Sequence, residues 1–328
     1  MRTHGATVWH WSISVKAWLI FWFARILIKP IMTWWPATDR GISVLSRLDR
    51  QVDKLLPRPR GVDIDPVTLG GVPSERIEPP RPATDSLAGA TILYFHGGAF
   101  VFCGLATHRT VCSLLAAKSG VPVYSAAYRQ LPDGSIGTSV MDAMAAYTAV
   151  LSVAEDPNRV IVAGDSAGGY LAMKVAEIAA LRGMTRPAAV IGFSPLLNLN
   201  LESHDPDYMK RDAYLPMRQL EKLRDKWLDG PDHIEGAQSP VDADPTLFPP
   251  VFFSVAEYEI TRPDVEIVTE AIERTGRPIE THIWAGQVHA FPVIGQTLPE
   301  ARALLDLSID FARRSVATDA TEGSSRTA

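Results

Sequence analysis

From residue 90 onward the chain alternates between short runs that are apolar throughout and longer segments whose apolar positions recur every three or four residues. The apolar runs, at Ala90–Phe95, Val121–Ala126, Arg159–Ala163, Ala188–Ser194, Val251–Val255 and Ile279–Trp284, predict strands. Helical spacing at about Thr110–Ser119, Ser139–Leu151, Tyr170–Leu181, Val265–Thr275 and Pro299–Arg314 separates most of them. Strands with no polar face must be covered on both sides. The pattern therefore predicts an α/β fold, a mostly parallel central sheet flanked by helices. The interval Asn198–Gln238 breaks the rhythm: it is charged, helical over Pro216–Leu228, and reads as an insertion or cap between strands. Upstream, Arg40–Leu56 has helical spacing and ends at Pro57-Arg-Pro, and the proline- and glycine-rich Pro57–Pro82 predicts short strands and turns.

The first 35 residues follow a different pattern. They hold six of the eight tryptophans, and their longest uncharged apolar run, Ala17–Ala24, is bounded by Lys16 and Arg25. A spanning helix needs about 20 mostly apolar residues, so a single-pass anchor is not expected. A secretory signal is disfavoured because no small-x-small site follows the apolar run. Beside that weaker reading two others stand for residues 1–35: a helix folded over the rest of the protein, or peripheral membrane contact through the tryptophans with Lys16, Arg25 and Lys29.

Composition narrows the function classes. Hydrophobic residues make up 46% and charged residues 21%, enough for a large core. A net charge of −5 gives no electrostatic footprint for nucleic acid across the chain. With two cysteines, Cys103 and Cys112, a disulfide scaffold and a multi-thiolate zinc site are both excluded. No cofactor or metal is expected.

Gly164-Asp165-Ser166-Ala167-Gly168 fits G-x-S-x-G, in which a serine sits on a sharp strand-to-helix turn. The pentapeptide alone is a weak signal. Its context strengthens it, because the buried run Val160–Ala163 leads in and a helical segment leads out. His96-Gly97-Gly98-Ala99-Phe100 directly follows another strand. Adjacent glycines there free backbone N–H groups to stabilise the charge that builds on a carbonyl oxygen during acyl transfer. Gly97, Gly98 and Ala167 are the predicted donors. His96 is read as bracing this loop.

A serine nucleophile needs a base, and the base needs an orienting carboxylate. Where the nucleophile sits on such an elbow, acid and then histidine follow it in the chain. His282 lies inside a predicted strand and reads as structural. His289 lies in the loop just beyond, where catalytic groups of such folds are placed, and is the predicted base. For the acid, Glu257, Glu259 and Asp264 follow the strand Val251–Val255. Asp264 reads as a helix N-terminal residue. Spacing does not separate Glu257 from Glu259.

Taken together these residues resemble the hormone-sensitive-lipase-like family of α/β-hydrolase esterases over about residues 85–314. His96-Gly-Gly-Ala-Phe is similar to the family's HGGG segment, Thr107-His-Arg and Tyr128-Arg-Gln-Leu-Pro-Asp133 to its THR and YRLAPE stretches, and Gly164-Asp-Ser-Ala-Gly-Gly169 to its GDSAGG elbow. Ser194-Pro-Leu-Leu-Asn198, Ser239-Pro240 and Phe248-Pro-Pro250 also stand in family order. The family's acid follows the proline pair in a pattern such as AEFDPLRD. Ala256-Glu-Tyr-Glu259-Ile-Thr-Arg262 occupies it, so the resemblance puts Glu259 in the acid's place, with Thr261 and Pro263 departing from the usual Leu and Asp.

The resemblance also implies domain organisation. Cap helices would come from residues 1–50, ahead of a catalytic domain spanning 51–316, and from about 198–238 within it; the small polar residues 317–328 separately predict a disordered tail. The implied activity is a serine carboxylesterase acting on a small-molecule ester through Ser166, His289 and Glu259. A lactone or amide hydrolase, or a membrane-surface lipase, are the alternatives with the same machinery. A cytoplasmic location is expected, with peripheral membrane contact as the variant, and a homo-oligomer is compatible with the sequence.

Overall fold

The computed structural model describes residues 2–4, 6–56, 59–201, 206–294 and 297–325. Among them the strands are β1 (Arg2–His4), β2 (Thr7–His10), β3 (Asp63–Leu69), β4 (Val72–Glu78), β5 (Thr91–Phe95), β6 (Val123–Ala126), β7 (Val160–Asp165), β8 (Ala189–Phe193), β9 (Val251–Ala256) and β10 (Ile279–Trp284). They form one ten-stranded sheet in the order β1-β2-β10-β9-β8-β7-β5-β6-β4-β3. From β2 to β6 every neighbouring pair is parallel, and antiparallel strands close both edges. The six predicted strands are all present, within two residues of their expected ends.

The helices are α1 (Val15–Phe23), α2 (Lys29–Trp34), α3 (Asp39–Leu55), α4 (Leu105–Ser119), α5 (Ile136–Val153), α6 (Ala167–Leu181), α7 (Pro206–Arg211), α8 (Met217–Leu228), α9 (Arg262–Glu273) and α10 (Pro299–Ser325). A π-helical turn, Ala24–Ile28, joins α1 to α2 without a break. Successive strand residues point to opposite faces, so the all-apolar strands feed two cores. Leu93, Phe95 and Val162 pack with Tyr147 and Tyr170 of α5 and α6, while Ile92, Tyr94 and Ile161 pack with Leu115 and Leu304 of α4 and α10. Among the described residues one helix is long and apolar enough to cross a membrane. It is α5, and 61% of it is buried inside the protein.

Two expectations change. Residues 1–50 are not helical throughout, because β2 adds in parallel to β10, with Val8 opposite His282, and β1 folds back on it. The β-branched and aromatic Thr7-Val-Trp run suits a strand, and it covers the edge groups of β10 that would otherwise stay unpaired. The N–H groups of Thr281 and Ala285 donate to the carbonyls of Ala6 and His10, each at 2.9 Å. At the other end α10 continues to Ser325 where a tail from residue 317 was expected, since no proline interrupts the segment. Residues 326–328 of that tail lie outside the described residues.

The N-terminal helices are bound to the insertion between β8 and β9. Arg25 donates to the carbonyls of Lys210, Arg211 and Asp212 at 2.8–3.1 Å, and Lys29 to those of Met209 and Asp212 at 3.0 and 2.7 Å. Such cations suit the carbonyls left open at the C-terminal end of α7. Gln219 of α8 donates to Thr33 O, and Lys226 pairs with Asp39 at 2.5 Å. Residues 202–205 of the insertion lie outside the described residues.

Candidate active site

β7 becomes α6 within one residue, and that residue is Ser166. Its backbone sits at φ +50°, ψ −117°, a region that costs about 1–3 kcal/mol for a residue with a side chain. Surrounding hydrogen bonds hold it there. The Ser166 N–H donates to Phe193 O at 3.0 Å, and Ser166 O accepts from the N–H groups of Tyr170 and Leu196 at 3.1 and 3.0 Å. The turn also brings α6 hard against β5. A Cβ on Gly168 would stand 1.9 Å from Phe95 O, so this position admits no side chain.

His289 lies in the loop after β10 and Glu259 in the turn after β9, both buried. His289 Nδ1 and Glu259 Oε2 are 2.7 Å apart. Glu257, the other carboxylate that spacing allowed, makes no such contact; its carbonyl accepts from Arg262 at 2.9 Å. Asp264 lies in the first turn of α9, as expected. His282 is a structural residue in β10, with Nδ1 2.9 Å from His10 Nε2 and its ring stacked on Phe252.

Burial opposes a charged His289, but the carboxylate of Glu259, with lesser help from Asp212 and Asp165, outweighs it and raises the imidazole pKa above 6.5. His289 Nε2 is buried and has no hydrogen-bond partner among the described residues. His289 and Ser166 line the same cavity.

Two residues that sequence reasoning missed hold this pair in place. Ser194, just past β8, donates its hydroxyl to Glu259 Oε1 at 2.6 Å and accepts the N–H of Ala290 at 2.9 Å, tying the acid's turn to the histidine's loop. Its position in the recurring Ser194-Pro-Leu-Leu-Asn198 stretch was the available signal. Tyr214, in the strap after α7, donates its hydroxyl to His289 O at 2.9 Å and meets the imidazole edge-on. The strap is anchored by buried Asp212, whose carboxylate accepts from the N–H groups of Tyr214, Leu215 and Ile260. Burial raises the Asp212 pKa.

The glycine loop corrects one predicted donor. Gly97 N–H donates to Asp165 Oδ1 at 3.0 Å and is therefore taken. The same oxygen accepts from Tyr94 at 2.8 Å. Burial would raise the Asp165 pKa, but His108 and Tyr94 hold it below the ordinary range. Gly98 and Ala99, at φ +119° and +53°, carry the turn onward and line the cavity. A Cβ on Gly98 would stand 1.9 Å from Phe102 O. Ala167 begins α6, so its N–H has no intrahelical acceptor. His96 braces the loop: its ring stacks on Tyr128, whose hydroxyl donates to His96 O at 2.7 Å, and burial lowers its pKa to about 4.

The cavity measures about 150 Å³, and apolar side chains from the core and the insertion, including Phe102, Leu215, Leu220, Trp227 and Val293, make most of its wall. Among the described residues no cluster of His, Cys, Asp or Glu is arranged to hold a metal ion.

A serine on a strand–helix elbow that shares a cavity with a carboxylate-paired histidine is the arrangement of a hydrolase of the α/β class. Residues 92–293 match the family model described as the alpha/beta hydrolase fold, and the chain belongs to that family. It is 32% identical to an acetyl-hydrolase of Streptomyces hygroscopicus, over 76% of this chain and 82% of that protein. It is 33% identical to the esterase LipU of Mycobacterium tuberculosis, over 64% and 73%. A hormone-sensitive lipase from a metagenome library superposes with a TM-score of 0.80 at 27% identity, covering 92% of this chain and 98% of that one. Within the α/β-hydrolases, then, the chain is a hormone-sensitive-lipase-like esterase, a carboxylic ester hydrolase.

Proposed function

We propose that this esterase is a serine carboxylesterase working through Ser166, His289 and Glu259 by way of an acyl-enzyme. Ser166 Oγ attacks the ester carbonyl as His289 Nε2 takes its proton. Glu259 holds Nδ1–H and stabilises the imidazolium. The tetrahedral oxyanion is bound by the N–H groups of Gly98, Ala99 and Ala167. Collapse expels the alcohol, which receives the proton from His289. Water then attacks the acyl-enzyme with His289 as base, releasing the acid and restoring Ser166.

The observation that carries this reading is the 2.7 Å contact between His289 and Glu259 in a site where Nε2 is otherwise unpartnered and Ser166 shares the cavity. A cavity of about 150 Å³ suits a small acyl group, in keeping with a relative named for acetyl hydrolysis. The N-terminal helices and segment 198–238 act as its cap, supported by the Arg25 and Lys29 bonds to the strap.

Initial rates on p-nitrophenyl esters of increasing acyl length, run beside Ser166→Ala, test it. The expected result is a maximum at short chains that disappears in the variant. Undiminished turnover by Ser166→Ala overturns the assignment. Inactivity on every ester together with Ser166-dependent opening of a lactone or amide would replace it by that reaction.

A further inference from the structure

The continuous helix from Val15 to Trp34 buries one side and leaves the other bare. On the inner side Ala17 and Ala24 are buried, and Arg25 and Lys29 reach the strap. On the outer side exposed apolar residues recur at three- and four-residue spacing, from Val15 through Trp18, Leu19, Trp22 and Ile26 to Trp34. Trp34 is 83% exposed and Val15 75%. A helix on a protein surface normally turns its polar side to water. Here the outward side is the apolar one, along about 30 Å of helix. Monomers rarely expose a contiguous apolar stripe of this kind unless something covers it.

We propose that this stripe docks the enzyme on an anionic lipid bilayer, with the helix lying in the plane of the interface. Tryptophans concentrate at that depth because the ring is apolar and its N–H is polar. Charge selects the partner. Residues 1–38 contain Arg2, Lys16, Arg25 and Lys29 and no acidic residue, in a chain of net charge −5. Lys16 is exposed, while Arg25 and Lys29 face the strap and bond to its neutral carbonyls, so the segment stays positive; that charge attracts anionic headgroups and repels a second copy of the same segment. The helix lies on the bilayer and does not span it, because its inner side is packed on protein. Behind it, strap residues Tyr214 and Leu215 line the cavity wall. Docking therefore brings lipid within one protein layer of Ser166. The inference goes beyond the proposed reaction, and its test reads binding without turnover.

The full-length protein is floated with vesicles of phosphatidylcholine alone and of phosphatidylcholine with phosphatidylglycerol. Its oligomeric state is measured without lipid by sedimentation equilibrium. The comparison protein carries Leu19→Gln, Phe23→Gln, Ile26→Gln and Trp34→Gln, four exposed positions that keep helix-forming side chains. The wild type should float with the anionic vesicles, weakly with the neutral ones, and the variant should lose roughly tenfold or more in partitioning. Retained activity of the variant on p-nitrophenyl acetate shows that it is folded. Equal binding to both vesicle types, undiminished binding by the variant, or no binding by the wild type overturns the proposal. A wild-type dimer that the variant converts to monomer, without vesicle binding, overturns it in favour of a second copy.

Discussion

The strand-end loops around Ser166 and the N-terminal helix solve opposite problems with the same apolar residue types. Around Ser166, Glu259 and His289 the apolar residues are buried beneath the site, and the sheet fixes Glu259 within hydrogen-bonding distance of His289. Along Val15–Trp34 most of the large apolar side chains stay in water, and Arg25 and Lys29 turn inward to hold the strap. Burial makes a site rigid enough to keep a serine at φ +50°. Exposure leaves a surface whose free energy is realised when something covers it.

The largest expected effect breaks the first region. Ser166→Ala should lower kcat by about 10⁴-fold or more with thermal unfolding little changed, since no proton transfer remains for His289 to perform. Glu259→Gln should cost about 10⁴-fold by analogy with other triad acids, whereas Glu257→Gln should stay close to wild type. The reverse ranking would assign the acid to Glu257.

The pH profile sharpens the same point. In the proposed mechanism His289 must be neutral to accept the serine proton, and Glu259 beside it holds its pKa above 6.5 against the effect of burial. Activity should therefore fall on the acid side from above pH 6.5, and Glu259→Gln should move that limb to lower pH. Linkage gives stability the opposite sign. A raised pKa in the folded state contributes stability that is fully present below about pH 6.5 and is lost as pH rises through the folded value. Unfolding midpoints measured across that window check it.

Ser194→Ala removes the bond between the acid's turn and the histidine's loop. It should cost roughly 1–3 kcal/mol by chemical denaturation and lower kcat more than it raises KM. A last pair, read in stability alone, compares the two regions directly. Leu93→Ala, with a fully buried side chain, should cost about 2–5 kcal/mol, while Leu19→Ala, 55% exposed, should stay within about 0.5 kcal/mol. A large loss at Leu19 would mean the helix is covered in solution by protein.

Much of this was legible locally. The six inner strands, the elbow at Ser166, the loop position of His289 and the structural role of His282 follow from periodicity, glycine spacing and chain order, each of which spans a few residues. Glu257 and Glu259 stand two residues apart in a turn, so periodicity does not rank them. The resemblance favoured Glu259, and the fold puts that side chain against His289. The tail after residue 317 read as disordered from its small polar residues, yet α10 runs through most of it.

Sequence alone determined the fold class and the enzyme family and pointed to Ser166 and His289 as the proposed nucleophile and base, because each is encoded in a short stretch whose conformation is nearly independent of the rest. Tertiary structure decided what depends on residues far apart in the chain. It showed that Gly97 N–H is consumed by Asp165, 68 residues away, which is why the proposed oxyanion donors begin at Gly98. It showed that Ser194 and Tyr214 hold the histidine's loop from two other segments. It added β2 to the sheet edge beside β10. It also decided which side of the N-terminal helix faces out. A helix whose large apolar residues are spread around most of its circumference has no preferred outward side until the rest of the protein covers the other.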